Sequence, residues 1–186
     1  MNLNIFQISK IIKNDLMVGY YISSIFSFLS KKLADYPDCG NWYHKKVISG
    51  LYEGKREILC AKIDDQIAGI TILKKDMNEK KICSLYVLER FRHRGIGNLL
   101  FKKSFDILET SSPLLSVSDL NHNQFKKLFR YFGFKNEYLL KNKYRTGVNE
   151  IVFNGMLEKE PFAVIEKPVI ANKHAILDSN CYFEKI

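Results

Sequence analysis

Arg92-His93-Arg94-Gly95-Ile96-Gly97 puts three basic side chains and two glycines into six residues, a combination suited to holding an anion. Glycine lets backbone N–H groups come close to a ligand and accepts positive φ, while Arg92 and Arg94 add full charges. Ahead of this turn, Ile82-Cys83-Ser84-Leu85-Tyr86-Val87 is short, apolar and partly β-branched, as a strand is. Behind it, Asn98 to Leu108 carries apolar residues at helical spacing. A strand, a basic glycine turn and a helix start together present unpaired N–H groups and the positive end of a helix dipole. The ligand such a turn suits is a phosphate or pyrophosphate. The plainer alternative is a strand-to-helix turn kept soluble by its basic residues.

Two nucleotide-binding patterns fit poorly. A P-loop ends in Gly-Lys-Ser/Thr, whereas Gly97 is followed by Asn98-Leu99. A dinucleotide fingerprint needs a third glycine, and Leu100 stands in its place.

The elements that must position this turn are legible in outline. The 186 residues are most simply one domain. Asn2 to Ile8 reads as a strand, and Ile11 to Ala34 as helical. Within the latter, the uncharged stretch Leu16 to Ser30 falls short of the roughly 18–20 apolar residues of a spanning helix. It is expected to be a mostly buried helix, with an interfacial membrane helix as the alternative. Tyr36 to Gly40 is a loop, and Trp42 to Leu51 a helix stopped near Gly54. Glu57 to Ile63 and Ile67 to Leu73 form a hairpin about Asp64-Asp65. Lys74 to Lys80 then turns into the strand Ile82 to Val87. After the helix, Leu114 to Val117 is a strand, and Gln124 to Phe132 a helix with Phe125, Leu128, Phe129 and Phe132 on one face, stopped by Gly133. Phe134 to Leu140 and Glu150 to Phe153 are final strands, separated by 141–149.

Composition narrows the class. Hydrophobic residues at 46% and charged residues at 26% are ordinary globular usage and exclude wholesale disorder. Cys39, Cys60, Cys83 and Cys181 are scattered, and only Cys39 has a histidine near it, His44. Two ligands do not make a metal site, so none is expected. Cys60 and Cys83 read as buried fillers, and the default compartment is a reducing cytoplasm. The first apolar run is broken by Asn4, Gln7, Ser9 and Lys10, unlike a signal peptide. The net charge of +9 is spread over lysine pairs from Lys31-Lys32 to Lys126-Lys127. Such pairs suit solvated faces, or a polyanionic partner such as tRNA.

The strand Leu85-Tyr86-Val87 followed by Arg92-x-x-Gly95-x-Gly97 resembles the acyl-CoA loop of the GNAT acetyltransferase superfamily. So do Leu128-Phe129-Arg130-Tyr131-Phe132-Gly133-Phe134, similar to the family's late helix, and the order β-α-α-β-β-β-α-β-α-β-β over residues 1–154. The resemblance implies an α+β fold with a mixed, mostly antiparallel sheet splayed between its fourth and fifth strands and helices on both faces. It implies an acetyltransferase domain at 1–154. Residues 155–186, too apolar for a simple tail, are left as an extension packing on the domain or on a partner subunit.

It also implies chemistry. Backbone groups of Leu85 and Val87 would hold the pantetheine of acetyl-CoA or another acyl-CoA. Arg92 and the amides of His93, Arg94, Gly95, Ile96, Gly97 and Asn98 would hold its pyrophosphate. An amine on a small molecule, a protein or an aminoacyl-tRNA would attack the thioester directly. An alkylamine of pKa about 10 is mostly protonated near neutrality, so a proton acceptor is needed, and a donor for the leaving thiolate. The family's usual donor is a tyrosine at the position of Phe129, which has no proton to give. Tyr131 is the substitute donor considered, although it lies about 200° around the helix from that position. Asp119 is the expected base, or else a turn carboxylate; Glu89, His44 and His93 are weaker candidates. His122, flanked by Asn121 and Asn123, aligns with the family's asparagine. Tyr20, Tyr21, Trp42 and Tyr43 could line an acceptor pocket or simply fill the core. Phe129 keeps open a non-catalytic acyl-CoA-binding protein, the charge keeps open a nucleic-acid-binding one, and a homodimer is compatible with either.

Overall fold

The computed structural model describes residues 2–12, 15–30, 36 and 38–157. Lys31-Lys32, the helix end at Ala34, Cys181 and the extension beyond Leu157 lie outside the described residues. Strand β1 (Leu3–Gln7) leads into helices α1 (Ile8–Ile11) and α2 (Asp15–Ser30). A continuous helical segment follows: α3 (Cys39–Asn41), a π-helical stretch (Trp42–Ile48) and α4 (Ser49–Tyr52). Then come β2 (Arg56–Ile63), β3 (Gln66–Lys75), β4 (Lys80–Val87), α5 (Ile96–Leu108), β5 (Leu115–Ser118), α6 (His122–Tyr131), β6 (Asn136–Arg145) and β7 (Val148–Phe153).

The strands form two sheets, β1-β2-β3-β4 and β5-β7-β6, and every ladder within them is antiparallel. A lone parallel bridge, Lys81 with Leu114, joins them, made by Ile82 N–H to Leu114 O and Leu114 N–H to Lys80 O, both 2.9 Å. The expected mixed, mostly antiparallel α+β architecture with a parting between the fourth and fifth strands is therefore present.

Alternation along the strands sorts the core into two layers. In β2, Leu59, Ala61 and Ile63 join Leu85, Val87, Leu100, Phe101 and Phe129 on the side covered by α5 and α6. Ile58 and Cys60 point the other way, to Ile8, Ile25, Tyr43 and Val47 beneath α1–α4. Both faces are covered, which is why β2 and β3 read as near-continuous apolar runs. Asp64 and Asp65 both take positive φ (46° and 67°), as a two-residue hairpin loop of the type I′ class requires.

Two expectations need correction. Helix α2 is not mostly buried: Val18, Ile25 and Leu29 face the core, whereas Gly19, Tyr20, Ser23 and Ser27 are exposed. Its serines mark the wet face of a one-sided helix. The final strands are longer than their apolar residues suggest, and 141–149 is no separate loop. β6 reaches Arg145 and β7 begins at Val148, leaving Thr146-Gly147 as the turn. Exposed Lys141, Asn142 and Tyr144 on a two-stranded ribbon hide its length, and a bulge at Asn142 (φ 53°), whose Oδ1 accepts from Gly147 N–H at 2.6 Å, interrupts the alternation. Leu157 is buried with Leu114, Tyr138, Leu140 and Val152.

Helix α5 packs on β3 and β4 through a position with no side chain. A Cβ at Gly69 would lie 2.9 Å from Tyr86 O and 3.1 Å from both Leu100 Cδ1 and Val87 Cγ2. Gly69→Ala is therefore expected to lower stability by about 1–3 kcal/mol. The check is the urea midpoint at constant slope; an unmoved midpoint would mean that helix and strand yield freely.

Candidate functional site

The basic glycine turn is built as a helix start and lies open. After β4, a single 3₁₀ turn (Glu89–Phe91) buries Phe91 and delivers the chain to Arg92. Arg90 and Arg94 stack over the Phe91 ring, with guanidinium carbons 5.0 and 5.6 Å from its centroid. His93 takes positive φ (60°), and Gly95 caps α5 in the left-handed region (φ 76°, ψ 4°). The first helical bond runs from Leu99 N–H to Gly95 O at 3.1 Å. The first turn of α5 has no acidic residue, and a glycine cap has no side chain to cover it. His93, Arg94 and Gly95 are exposed, Asn98 is half-buried, and Ile96 and Gly97 are buried where the helix meets the sheet. Arg92 is mostly buried and turns back, its Nε–H donating to Val87 O at 3.4 Å. The structure thus brings Val87, Arg92 and the α5 start together.

Leu85 and Val87 pack their side chains toward α5. Among the described residues their strand, β4, is laddered on one edge, to β3. On the other edge the Lys81–Leu114 bridge is followed by no ladder to β5, so the two strands part as they run toward Val87 and Ser118. A gap between two parallel strands therefore opens beside the exposed helix start.

Asp119 stands at the far lip of that gap, just past β5. It does not cap α6; the cap position is Asn121. Its N–H donates to Asn149 O and its Oδ2 accepts from Asn149 Nδ2, both at 2.9 Å. Its Oδ1 is buried with no hydrogen-bond partner. Tyr131 is not brought to Asp119. It is 80% exposed at the other end of α6, roughly 14 Å along the helix from His122 by the rise per residue.

Phe129 is sealed into an aromatic cluster, its ring centroid 4.6 Å from Phe153, 5.3 Å from Phe125 and 5.6 Å from Phe134. The His122 ring lies parallel to it at 6.4 Å, and burial, with Lys126 nearby, draws the His122 pKa below its ordinary value. Of the other candidates, Glu89 is exposed beside Arg92, and His44 is exposed against Phe26 at 4.8 Å. Tyr43 is fully buried with its hydroxyl donating to Ile22 O at 3.0 Å, so it is core. Tyr20 is largely exposed, Tyr21 packs on Phe6, and Trp42 is half-buried against the α1–α4 layer. Among the described residues, no group of three or more His, Cys, Asp or Glu converges as a metal site, and no helix is long and apolar enough to cross a membrane.

The sequence reading passes over Glu150. It is 3% exposed in the middle of β7, opposite Ser118 in the β5 ladder. Burial pushes its carboxyl up to about 7, with the Asp119 charge adding to the rise and Ser116, Lys81 and Arg145 opposing it. The available signal was a carboxylate inside Val148-Asn149-Glu150-Ile151-Val152-Phe153, where alternation gives it a covered face. Because folding favours the protonated acid, its contribution is fully present below about pH 4.5 and is lost as pH rises through about 7. Glu150→Gln should therefore flatten the decline in stability across that window, gaining roughly 3 kcal/mol over wild type at alkaline pH. Denaturant titrations at several pH values check this, and parallel curves for the two proteins would contradict it.

Comparison with known proteins agrees with this architecture. The Acetyltransferase (GNAT) domain family matches residues 39–152. A GNAT-family protein from Desulfovibrio desulfuricans superposes with a TM-score of 0.60 at 16% identity, covering 82% of this chain and 97% of its own. A GNAT-family acetyltransferase from Bacillus cereus gives 0.58 at 18% identity, covering 82% and 96%. A Bacillus anthracis protein named as a streptothricin acetyltransferase, solved with acetyl coenzyme A, gives 0.51 at 18% identity over 61% of this chain and 70% of its own. No curated protein matches the sequence. With the family matched over more than half of its length, and the strand–turn–helix and parted strands in place, the chain belongs to the GNAT acetyltransferase domain family.

Proposed function

We propose that this protein is an acyl-CoA-dependent N-acyltransferase that moves an acetyl or other acyl group to an amine by direct attack. The observation that carries the reading is the exposed, glycine-capped start of α5 lying beside the parting of β4 and β5. Arg92, His93, Arg94, Gly95, Ile96, Gly97 and Asn98 hold the pyrophosphate through backbone amides, the helix dipole and the two guanidiniums. Backbone groups of Leu85 and Val87, on the edge of β4 that has no ladder among the described residues, bind the pantetheine amides as an added strand would. A Val87 N–H turned toward the gap would stabilise the oxyanion. Asp119 contributes negative charge at the opposite lip. The leaving thiolate does not take its proton from Phe129.

The acceptor is an amine on a small molecule or a protein; the aminoacyl-tRNA version draws on the +9 charge. Residues 1–154 form the catalytic domain, with 155–186 an extension on it or on a partner subunit, as in a homodimer. Free Cys39, Cys60 and Cys83 suit a cytoplasmic place. A non-catalytic acyl-CoA-binding protein is the second reading, favoured by the sealed Phe129. It differs in releasing no CoA against any amine.

Calorimetry and thermal shift with acetyl-CoA, longer acyl-CoAs and free CoA test the reading. At a hundred times its Kd, acetyl-CoA adds about 2.7 kcal/mol, raising Tm by roughly 5–10 °C for a chain of this size. Arg94→Glu reverses an exposed charge at the helix start and is expected to weaken binding about tenfold or more, measured by calorimetry on the folded variant. Absence of any acyl-CoA binding to the wild type would overturn the proposal.

A further inference from the structure

Charge is unevenly neutralised over the described surface. Lys74 pairs with Asp76 and Glu79, Lys62 with Asp65, Lys55 with Glu53 and Lys80 with Glu109. The surroundings of α6 are different. No acidic residue stands between Asp119 and Glu137 in the chain, while Lys126, Lys127, Arg130 and Lys135 all fall within that span. These four are exposed, and none is in an ion pair among the described residues.

The packing of α6 decides which of its groups face out. Phe125, Leu128 and Phe129 are buried beneath the helix. That leaves exposed Asn123, Lys127 and Tyr131 in one row at i, i+4 and i+8, with Lys126 and Arg130 in the next. Neighbours within a row are about 6 Å apart along the axis by the helical rise. Tyr131 is 80% exposed, its ring set at 88° to that of Phe132 with centroids 4.9 Å apart. Phe132 in turn packs on Phe101 and Phe105 of α5, at 5.1 and 5.2 Å. The tyrosine is thus braced on one side while most of its surface meets solvent. Both features weaken the free helix: a ring so exposed gains little from burial, and like charges at i, i+4 repel. A polyanion carrying flat apolar groups answers both at once.

We propose that the outer face of α6 binds single-stranded nucleic acid, with Lys126, Lys127 and Arg130 on neighbouring phosphates and Tyr131 stacked on an unpaired base. Cations that track a backbone beside an aromatic ring that takes a base are the two parts such binding needs. A duplex keeps its bases stacked inside and offers a lone tyrosine no face. An anionic lipid surface calls for a broad apolar face beside the cations, whereas here the apolar face of α6 is spent on the core. Recognition rests on charge and stacking, so it selects unpaired strands rather than a base sequence. This surface is separate from the α5 start, and the inference does not depend on the acyltransferase reading. Either can fail alone.

The test is fluorescence anisotropy of the full-length protein with labelled oligo-U and oligo-dT of about 20 nucleotides, longer than a typical single-strand site. The wild type is expected to bind at low salt, with log affinity falling against log salt at a slope of about −2, roughly 0.7 for each phosphate contact. The double change Lys126→Gln, Lys127→Gln should make that slope shallower by about 1.4. Tyr131→Ala should weaken binding about tenfold, and Tyr131→Phe should keep wild-type affinity, because stacking needs the ring alone. Lys45→Gln with Lys46→Gln removes the same charge from the exposed π-helical stretch and should leave the slope as it was. Circular dichroism confirms that each variant is folded. Whichever oligomer binds better names the strand, RNA or DNA. Equal losses from the two double variants would mean diffuse charge and overturn the proposal. So would preference for a duplex, binding only to phosphatidylserine vesicles, or no binding of the wild type at low salt.

Discussion

Two neighbouring parallel strands that share a single bridge must part wherever their covering layers pull them in different directions. β4 is committed to β3 by a ladder running to Val87. β5 is committed to β7 along its whole length. The bridge between Lys81 and Leu114 holds the two sheets at one end, and the right-handed twist of each sheet then carries the strands apart. Nearly everything proposed about function follows from that divergence. Among the described residues it leaves one edge of β4 without a ladder beyond that bridge, and it sets the α5 start beside the opening.

The layers on either side are chemically unlike. Toward α5 and α6 the gap is backed by an aromatic wall in which Phe101, Phe129, Phe134 and Phe153 meet tilted, edge-on or stacked. Such a wall excludes water and carries no titratable group of its own. Toward the other side stand Ser84, Ser118 and Glu150. A polar cluster in a shielded setting stays electrostatically strong because little solvent screens it. The exposed basic turn at the α5 start and the buried polar side chains Ser118 and Glu150 thus belong to different environments of one fold.

Much of this was legible in the residues, for definite reasons. The hairpin about Asp64-Asp65, the strand before Arg92 and the terminator at Gly133 announce themselves because local chemistry decides them. Positive φ and apolar alternation act over a few residues. The length of β6 was not legible, since Lys141, Lys143 and Tyr144 lie on an exposed ribbon where pairing, not burial, makes the strand. Glu150 escaped for another reason. Its environment is assembled by partners from β4, β5 and β6, far apart in the chain, and no window of sequence contains them. Asp119 drew notice by standing next to a strand end, and what the sequence could not supply was its bond to Asn149.

The outermost strand of the second sheet has a bearing on colloidal behaviour. β6 runs for ten residues and, among the described residues, has one side unladdered, the kind of border on which foreign chains can template. Lysines at 141 and 143 bracket the kink at Asn142, so a would-be docking chain meets charge and an interrupted rhythm of hydrogen-bond groups. That irregular turn of backbone thereby serves as a guard against fibril-like stacking, and straightening it with a β-branched residue would be the wrong direction for anyone seeking a more soluble preparation.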